Sequence, residues 1–195
     1  MFVRLAKVKD CQEIYDLIKD GDSGMTTLPK SKDEVLERIS WSKKSLNKKA
    51  KRPDKDSYLF VLKENNRIVG ISAIYTSVSK NGTSVFFKQK KKNISSKVFK
   101  FKKSLDVIQL HTVKNPYTEL GTLYLHPDFR GKGRGSLLSL ARFKFMALWP
   151  ERFDQKVVAE IRGKVDKDET SIFWKHFSKY FFCLLYTSPS PRDGL

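Results

Sequence analysis

Arg130-Gly131-Lys132-Gly133-Arg134-Gly135 lies between an apolar strand-like run, Glu119 to Leu125, and an apolar helical run, Ser136 to Leu148. A glycine-rich loop that opens a helix is an anion site. Its glycines accept positive φ and let a ligand approach the backbone. The first N–H groups of the helix have no intrahelical acceptor, and they point outward with the positive end of the helix dipole behind them. Arg130, Lys132 and Arg134 add cationic side chains.

The spacing excludes the common phosphate loops. Gly, four residues and Gly-Lys-Ser/Thr is absent, and so is G-x-G-x-x-G followed by an acidic residue at the end of the next strand. The pattern is R-x-x-G-x-G after Leu123-Tyr124-Leu125-His126-Pro127-Asp128-Phe129. It resembles the acyl-CoA loop of the GNAT-type N-acyltransferases. Within that class, five segments resemble successive motifs of the arginine N-succinyltransferases: Thr118 to Leu125, Phe143 to Ala147, Lys156 to Gly163, Ser171 to Trp174 and Phe181-Phe182. Gly24-Met25-Thr26-Thr27-Leu28-Pro29 fits the same family near its N-terminus, and the match thins between Val78 and Tyr117.

The chain has 195 residues, 39% of them hydrophobic, enough for one buried core. No apolar run reaches the length of a membrane helix and the first ten residues lack the apolar centre of a signal peptide, so the expectation is a cytoplasmic protein without a membrane role. Cys11 and Cys183 make neither a metal spacing nor a disulfide framework, and no metal is expected. Lys and Arg total 39 against 21 Asp and Glu, a formal charge of +18. The lysines from Lys88 to Lys103 are the densest cluster of this charge. Phe99-Lys100-Phe101-Lys102 alternates with period two, so they read as the solvated face of a strand with Phe inside. They are Lys rather than the Arg that bidentate phosphate recognition favours, and no specific nucleic-acid partner is expected.

Along the chain, Phe2 to Leu5 predicts a strand and Asp10 to Lys19 an amphipathic helix. Ser31-Lys32-Asp33-Glu34 is a capping box, starting a second helix at Lys32 with Val35, Leu36 and Ile39 inward. Lys43 to Asp56 reads as a polar break. Tyr58 to Leu62 and Arg67 to Tyr75 form a hairpin about Asn65-Asn66, and His111 falls in a loop. A strand at Glu119 to Leu125, the glycine loop, its helix, a strand at Lys156 to Ile161 and a helix carrying Phe173, Phe177 and Tyr180 complete the order. This predicts an α/β (α+β) domain, a GNAT-type mixed sheet flanked by helices, over residues 1–182. It is incomplete at the C-terminus, because the fold normally has two further strands. The Ser/Pro-rich residues 183–195 read as a non-native tail.

The resemblance implies transfer of a succinyl group from succinyl-CoA to the α-amino group of arginine. It implies main-chain contacts from Leu123 and Tyr124 to the acyl-CoA, and a pyrophosphate cradle at Arg130, Gly131, Lys132, Gly133, Arg134 and Gly135. The family's catalytic histidine falls in its later half, leaving the acid/base residue unknown here; Glu119, His126 and Glu160 are the candidates. Thr26 and Thr27 border the expected acceptor pocket, and Arg162 suits the succinyl carboxylate. Oligomerisation is left open. Two other classes fit the glycine loop or the charge: another acyl-CoA-dependent N-acyltransferase, acting on a small amine or protein N-terminus, and a non-enzymatic basic binding protein.

Overall fold

The computed structural model describes residues 1–19, 28–79, 84–113, 115–161, 163, 166 and 170–181. They fall into two compact units, Met1–Ala159 and Glu160–Leu195.

In the first unit the chain runs β1 (Phe2–Leu5), α1 (Cys11–Lys19), α2 (Lys32–Asn47), β2 (Ser57–Glu64), β3 (Arg67–Val78), β4 (Ser84–Ser96), β5 (Phe101–Val113), β6 (Tyr117–Leu125), α3 (Arg134–Leu148) and β7 (Val157–Val158). The described strands form a mixed five-stranded sheet, β1-β2-β3-β6-β7, and a separate β4-β5 ribbon. All pairings in the larger sheet are antiparallel except β6 with β7. One face packs on α1 and α2 through Ile14, Val35, Ile39, Leu59, Val61 and Ile71. The other packs on α3, where Phe145 meets Tyr58, Phe60 and Ile74, and Leu138 meets Leu62 and Val69.

Local chemistry explains the elements. Asn65 and Asn66 both take positive φ, 47° and 64°, as a two-residue hairpin turn with the strands' own twist requires. Ser31 caps α2 by accepting from the Glu34 N–H at 3.1 Å, while Glu34 returns to the Lys30 N–H at 2.9 Å. The polar break expected from Lys43 begins only at Lys48, because α2 continues to Asn47. β1 covers β2 only from Phe60 onward. Beyond it, the Ser45 and Ser42 hydroxyls accept from the Ser57 and Leu59 N–H groups at 3.1 and 2.9 Å. Both serines are buried, so α2 itself satisfies the sheet edge. Leu36, expected inward, is on the exposed side of the helix, and Val35 and Ile39 carry the contact.

The lysine-rich stretch also departs from expectation. β4 and β5 pair over their full length, Ser84 opposite Val113 through Ser96 opposite Phe101. Strand alternation then puts Lys88, Lys90 and Lys92 on one face and Lys91 on the other. Phe99 sits in the turn at 79% exposure, and Phe101 is also exposed, so neither is inside. His111 is in β5 opposite Phe86 rather than in a loop.

In the second unit, α4 (Ile172–Phe181) carries the expected aromatic positions. Ser171 caps it by accepting from the Trp174 N–H at 3.3 Å, and His176 Nδ1 lies 2.9 Å from the Ile172 carbonyl one turn earlier. The expected tail, 183–195, lies outside the described residues.

Asp10 fastens β1 to the start of α1. Its buried carboxylate accepts from Arg4 Nη1 and Nη2 at 2.6 and 2.8 Å and from the Lys7 N–H at 2.7 Å. Burial pulls its pKa up, but the Arg4 and Lys7 hydrogen bonds outweigh this and hold it below the ordinary carboxylate value. A carboxyl more acidic in the folded than in the unfolded chain stabilises fully above the ordinary range, and that stability is lost as pH falls through the folded value. Asp10→Asn is expected to cost about 2–3 kcal/mol near neutrality, somewhat less than breaking a fully buried pair because solvent reaches Arg4. It should also flatten the acid limb of the midpoint-versus-pH curve, which thermal melts from pH 2 to 7 would show.

Candidate active site

The glycine loop and α3 stand at the end of β6, as the sequence order requires. Gly131 and Gly133 have φ of 92° and 74°, and Gly133 is the N-cap of α3. The helix therefore starts at Arg134, two residues earlier than its apolar run. The Arg134 N–H is taken by the Gly131 carbonyl at 3.2 Å, and Leu137 N–H returns to Gly133 O at 2.9 Å. Helix geometry leaves the N–H groups of Gly133, Gly135 and Ser136 directed outward. Gly135 has no positive φ, and a Cβ built on it meets nothing within 4 Å. Nothing in the fold asks for glycine there, whereas close approach of a ligand would.

The cations of the loop divide. Arg130 and Lys132 are exposed. Arg134 is committed to Glu64, with Nε and Nη2 donating to its two carboxylate oxygens at 2.7 and 2.9 Å, and it lies over the Phe129 ring. The Arg134 hydrogen bond is the main cause holding the Glu64 carboxyl below its ordinary value. As a side chain, Arg134 positions the loop instead of presenting a free cation, a partner that sequence order could not supply.

β6 carries a bulge that sequence reading missed. Ala73 of β3 faces Gly121 and Ile71 faces Tyr124, so Ser72 alone spans Thr122 and Leu123. Thr122 absorbs the extra residue with φ of 49°. The threonine itself gives no hint of a positive φ; pairing to β3 imposes it. The bulge is held from both sides. On the α3 side Arg142, 4% exposed, donates from Nη1 to Gly121 O at 3.3 Å and from Nη2 to Ser139 Oγ at 3.0 Å. Burial pushes that guanidinium below its ordinary pKa. On the α2 side the Tyr75 hydroxyl lies 3.0 Å from Thr122 Oγ1 and accepts from Arg38 Nη1 at 3.0 Å. Tyr75 and Glu119 are cross-strand partners, and a Cβ on Gly121 would meet the Tyr75 ring at 2.8 Å and Glu119 Oε1 at 3.4 Å.

Beyond Glu119 the strands part. β7 pairs with β6 only at Thr118–Val157 and Glu119–Val158. The expected strand from Lys156 to Ile161 is thus two residues long, anchored by Asp154, which accepts from Ser77 N–H and Thr118 Oγ1 at 2.8 and 3.0 Å. The edge of β6 from Gly121 onward has no described strand beside it. Leu123, which an ordinary core strand would bury, is 41% exposed there, while Tyr124 turns into the core. An edge of this kind can pair with an extended amide-bearing ligand.

The acid/base candidates separate as well. Glu119 stands at the parting point. His126 Nδ1 accepts from the Asp128 N–H at 3.2 Å and its ring lies edge-on to Phe129, so it caps the turn before the loop. Glu160 follows β7 and belongs to the second unit. Thr26, Thr27 and Arg162 lie outside the described residues. An open depression of about 600 Å³, lined in part by Arg52, Asn115, Asp154 and Lys156, sits at the start of β6, away from the glycine loop. Among the described residues no three His, Cys, Asp or Glu side chains could hold a metal, and no helix is long and apolar enough to cross a membrane.

A strand that kinks and leaves its neighbour beside a glycine-capped helix defines the GNAT-type acyl-CoA N-acyltransferase fold. The PaiA N-acetyltransferase of Thermoplasma acidophilum, solved with coenzyme A, superposes with a TM-score of 0.50 at 14% identity, over 91% of this chain and 86% of that one. The arginine/ornithine succinyltransferase subunit AI of Pseudomonas aeruginosa superposes with a TM-score of 0.76 at 27% identity, over 92% of this chain and 55% of that one. The family described as arginine N-succinyltransferase beta subunit matches residues 1–190, and the chain belongs to it. The arginine N-succinyltransferase of Yersinia pestis is 34% identical over 198 residues, and the subunit beta of Pseudomonas aeruginosa is 33% identical over 196. All of this chain is aligned in both, and it spans 56% and 57% of their lengths.

Proposed function

We propose that this chain forms the acyl-CoA-binding part of an enzyme that transfers a succinyl group from succinyl-CoA to the α-amino group of arginine. The observation that carries this reading is the bulge at Thr122, with Leu123 exposed on an edge that has no described strand beside it and leads to the N-terminus of α3. Family membership supports the choice of acyl donor and amine over other N-acyltransferases.

In this reading the pyrophosphate of CoA lies against the main-chain N–H groups of Gly133, Gly135 and Ser136, with Arg130 and Lys132 neutralising charge from outside. The pantetheine amides pair with the main chain of Leu123 and Tyr124. The ammonium of arginine must lose a proton before its nitrogen can attack, and Glu119 is the carboxylate nearest the bulge on β6. The nitrogen then bonds to the thioester carbon, main-chain donors at the bulge stabilise the developing oxyanion, and the C–S bond breaks to a thiolate that takes up a proton. The resemblance assigns that proton to a histidine in the family's later half.

Calorimetric titration with CoA, acetyl-CoA and succinyl-CoA tests the proposal. We expect all three to bind, succinyl-CoA tightest, and a preparation carrying the family's full length to release thiol from succinyl-CoA only with arginine present. Equal turnover of unrelated amines would favour a broader N-acyltransferase. Salt-sensitive DNA binding in place of CoA binding would favour a basic binding protein.

A further inference from the structure

We propose that Arg38, with the Tyr75 and Thr122 hydroxyls, forms the subsite for the terminal carboxylate of a dicarboxylic acyl group. This rests on the acyl-CoA reading of β6.

Succinyl differs from acetyl by a negative charge at its far end, so an enzyme that selects it needs a cation within reach of the thioester. A thioester alongside Leu123 starts its acyl chain beside Thr122. With standard bond lengths, the distance from the carbonyl carbon to the far carboxylate oxygens of a four-carbon chain is about 5 Å. Two guanidinium groups approach the bulge. Arg142 is enclosed between α3 and the sheet at 4% exposure, out of reach of an acyl group. Arg38 is half-buried on α2, and its Nη1 reaches Thr122 Oγ1 through the Tyr75 hydroxyl, two hydrogen bonds of 3.0 Å each. This hydrogen-bonded row of a guanidinium and two hydroxyls ends at the bulge, and both group types can donate to a carboxylate.

The opposite charge is placed to complete the pattern. Glu119 lies on the same face of the sheet as Tyr75, its cross-strand partner, with the pairs Leu120–Ile74 and Gly121–Ala73 between it and the bulge. A cation on α2 and an anion on β6 bracket the kink, as a negative acyl group and a positive amine require. The arrangement draws residues from three elements far apart in sequence, and Arg38 belongs to no motif in the chain.

The test compares CoA, butyryl-CoA and succinyl-CoA, butyryl supplying the same four-carbon chain without the charge. In the unaltered chain succinyl-CoA should bind at least tenfold more tightly than butyryl-CoA. Arg38→Gln should lower succinyl-CoA affinity 10- to 100-fold and leave CoA and butyryl-CoA within twofold, and Arg38→Lys should recover part of the loss. Tyr75→Phe should give a smaller loss of the same selectivity. An Arg38→Gln chain that still prefers succinyl-CoA, or that loses all three ligands in proportion, overturns the subsite. An unaltered folded chain that binds none of the three overturns the acyl-CoA reading beneath it, so the two failures are told apart.

Discussion

Gly135→Asp is expected to weaken CoA binding about a hundredfold while leaving the fold as stable as before or slightly more so. The two effects have opposite signs for separate reasons. Gly135 is in the first turn of α3, where a carboxylate favours the helix dipole by about 0.3–1 kcal/mol. Replacing a glycine in a helix removes a further entropic penalty of about 0.5–1 kcal/mol. The new side chain has open space, since nothing lies within 4 Å of a Cβ at this position. That space is where the pyrophosphate is proposed to lie, and a fixed negative charge there repels a dianion and blocks the outward N–H groups. Gly135→Ala separates the terms, because it should stabilise similarly and weaken CoA binding far less. Gly133→Val is a less clean probe, because φ of 74° at Gly133 strains any branched residue by about 1–2 kcal/mol. Calorimetry with CoA beside thermal melts reads both quantities, and unchanged affinity in a folded Gly135→Asp chain would remove the loop from the site.

Gly121→Val should be the most damaging single change at the bulge, costing about 3 kcal/mol, or roughly 10 °C in melting midpoint. Its first added atom would stand 2.8 Å from the Tyr75 ring. The ring cannot simply swing aside, since its hydroxyl is tied to Arg38 and Thr122 and the Trp41 ring lies tilted against it, 6.0 Å between centroids. Removing the ring should relieve the clash, so Gly121→Val with Tyr75→Ala is expected to be more stable than the sum of the two single changes by at least 1 kcal/mol. Strict additivity would mean that the glycine is needed for its backbone alone. The double variant should still bind CoA but lose the preference for succinyl-CoA over butyryl-CoA.

The order of elements was legible because each has a local cause. The Asn65-Asn66 turn, the Ser31 cap and the glycine N-cap of α3 act within a few residues, and the structure has all three. The misreadings share a different cause. Ser45 falls in the expected polar break, yet its hydroxyl and that of Ser42 satisfy N–H groups of β2, and Arg134, expected in the pyrophosphate cradle, is paired with Glu64. Both partners are distant in sequence. Alternating Phe and Lys near residue 100 reports a strand correctly but not what lies beyond it, and Phe99 falls in the turn.

By itself, then, the sequence determined where a glycine loop opens a helix and which family the chain resembles, because glycines, caps and apolar periods act over one or two turns of chain. Only the tertiary structure decided the kink in β6, the exposure of Leu123 and the meeting of Arg38, Tyr75 and Thr122. Each depends on which strand lies alongside. A β3 that offers one residue against two forces Thr122 into positive φ, and beyond the two residues that pair with β7 the edge has no described strand beside it.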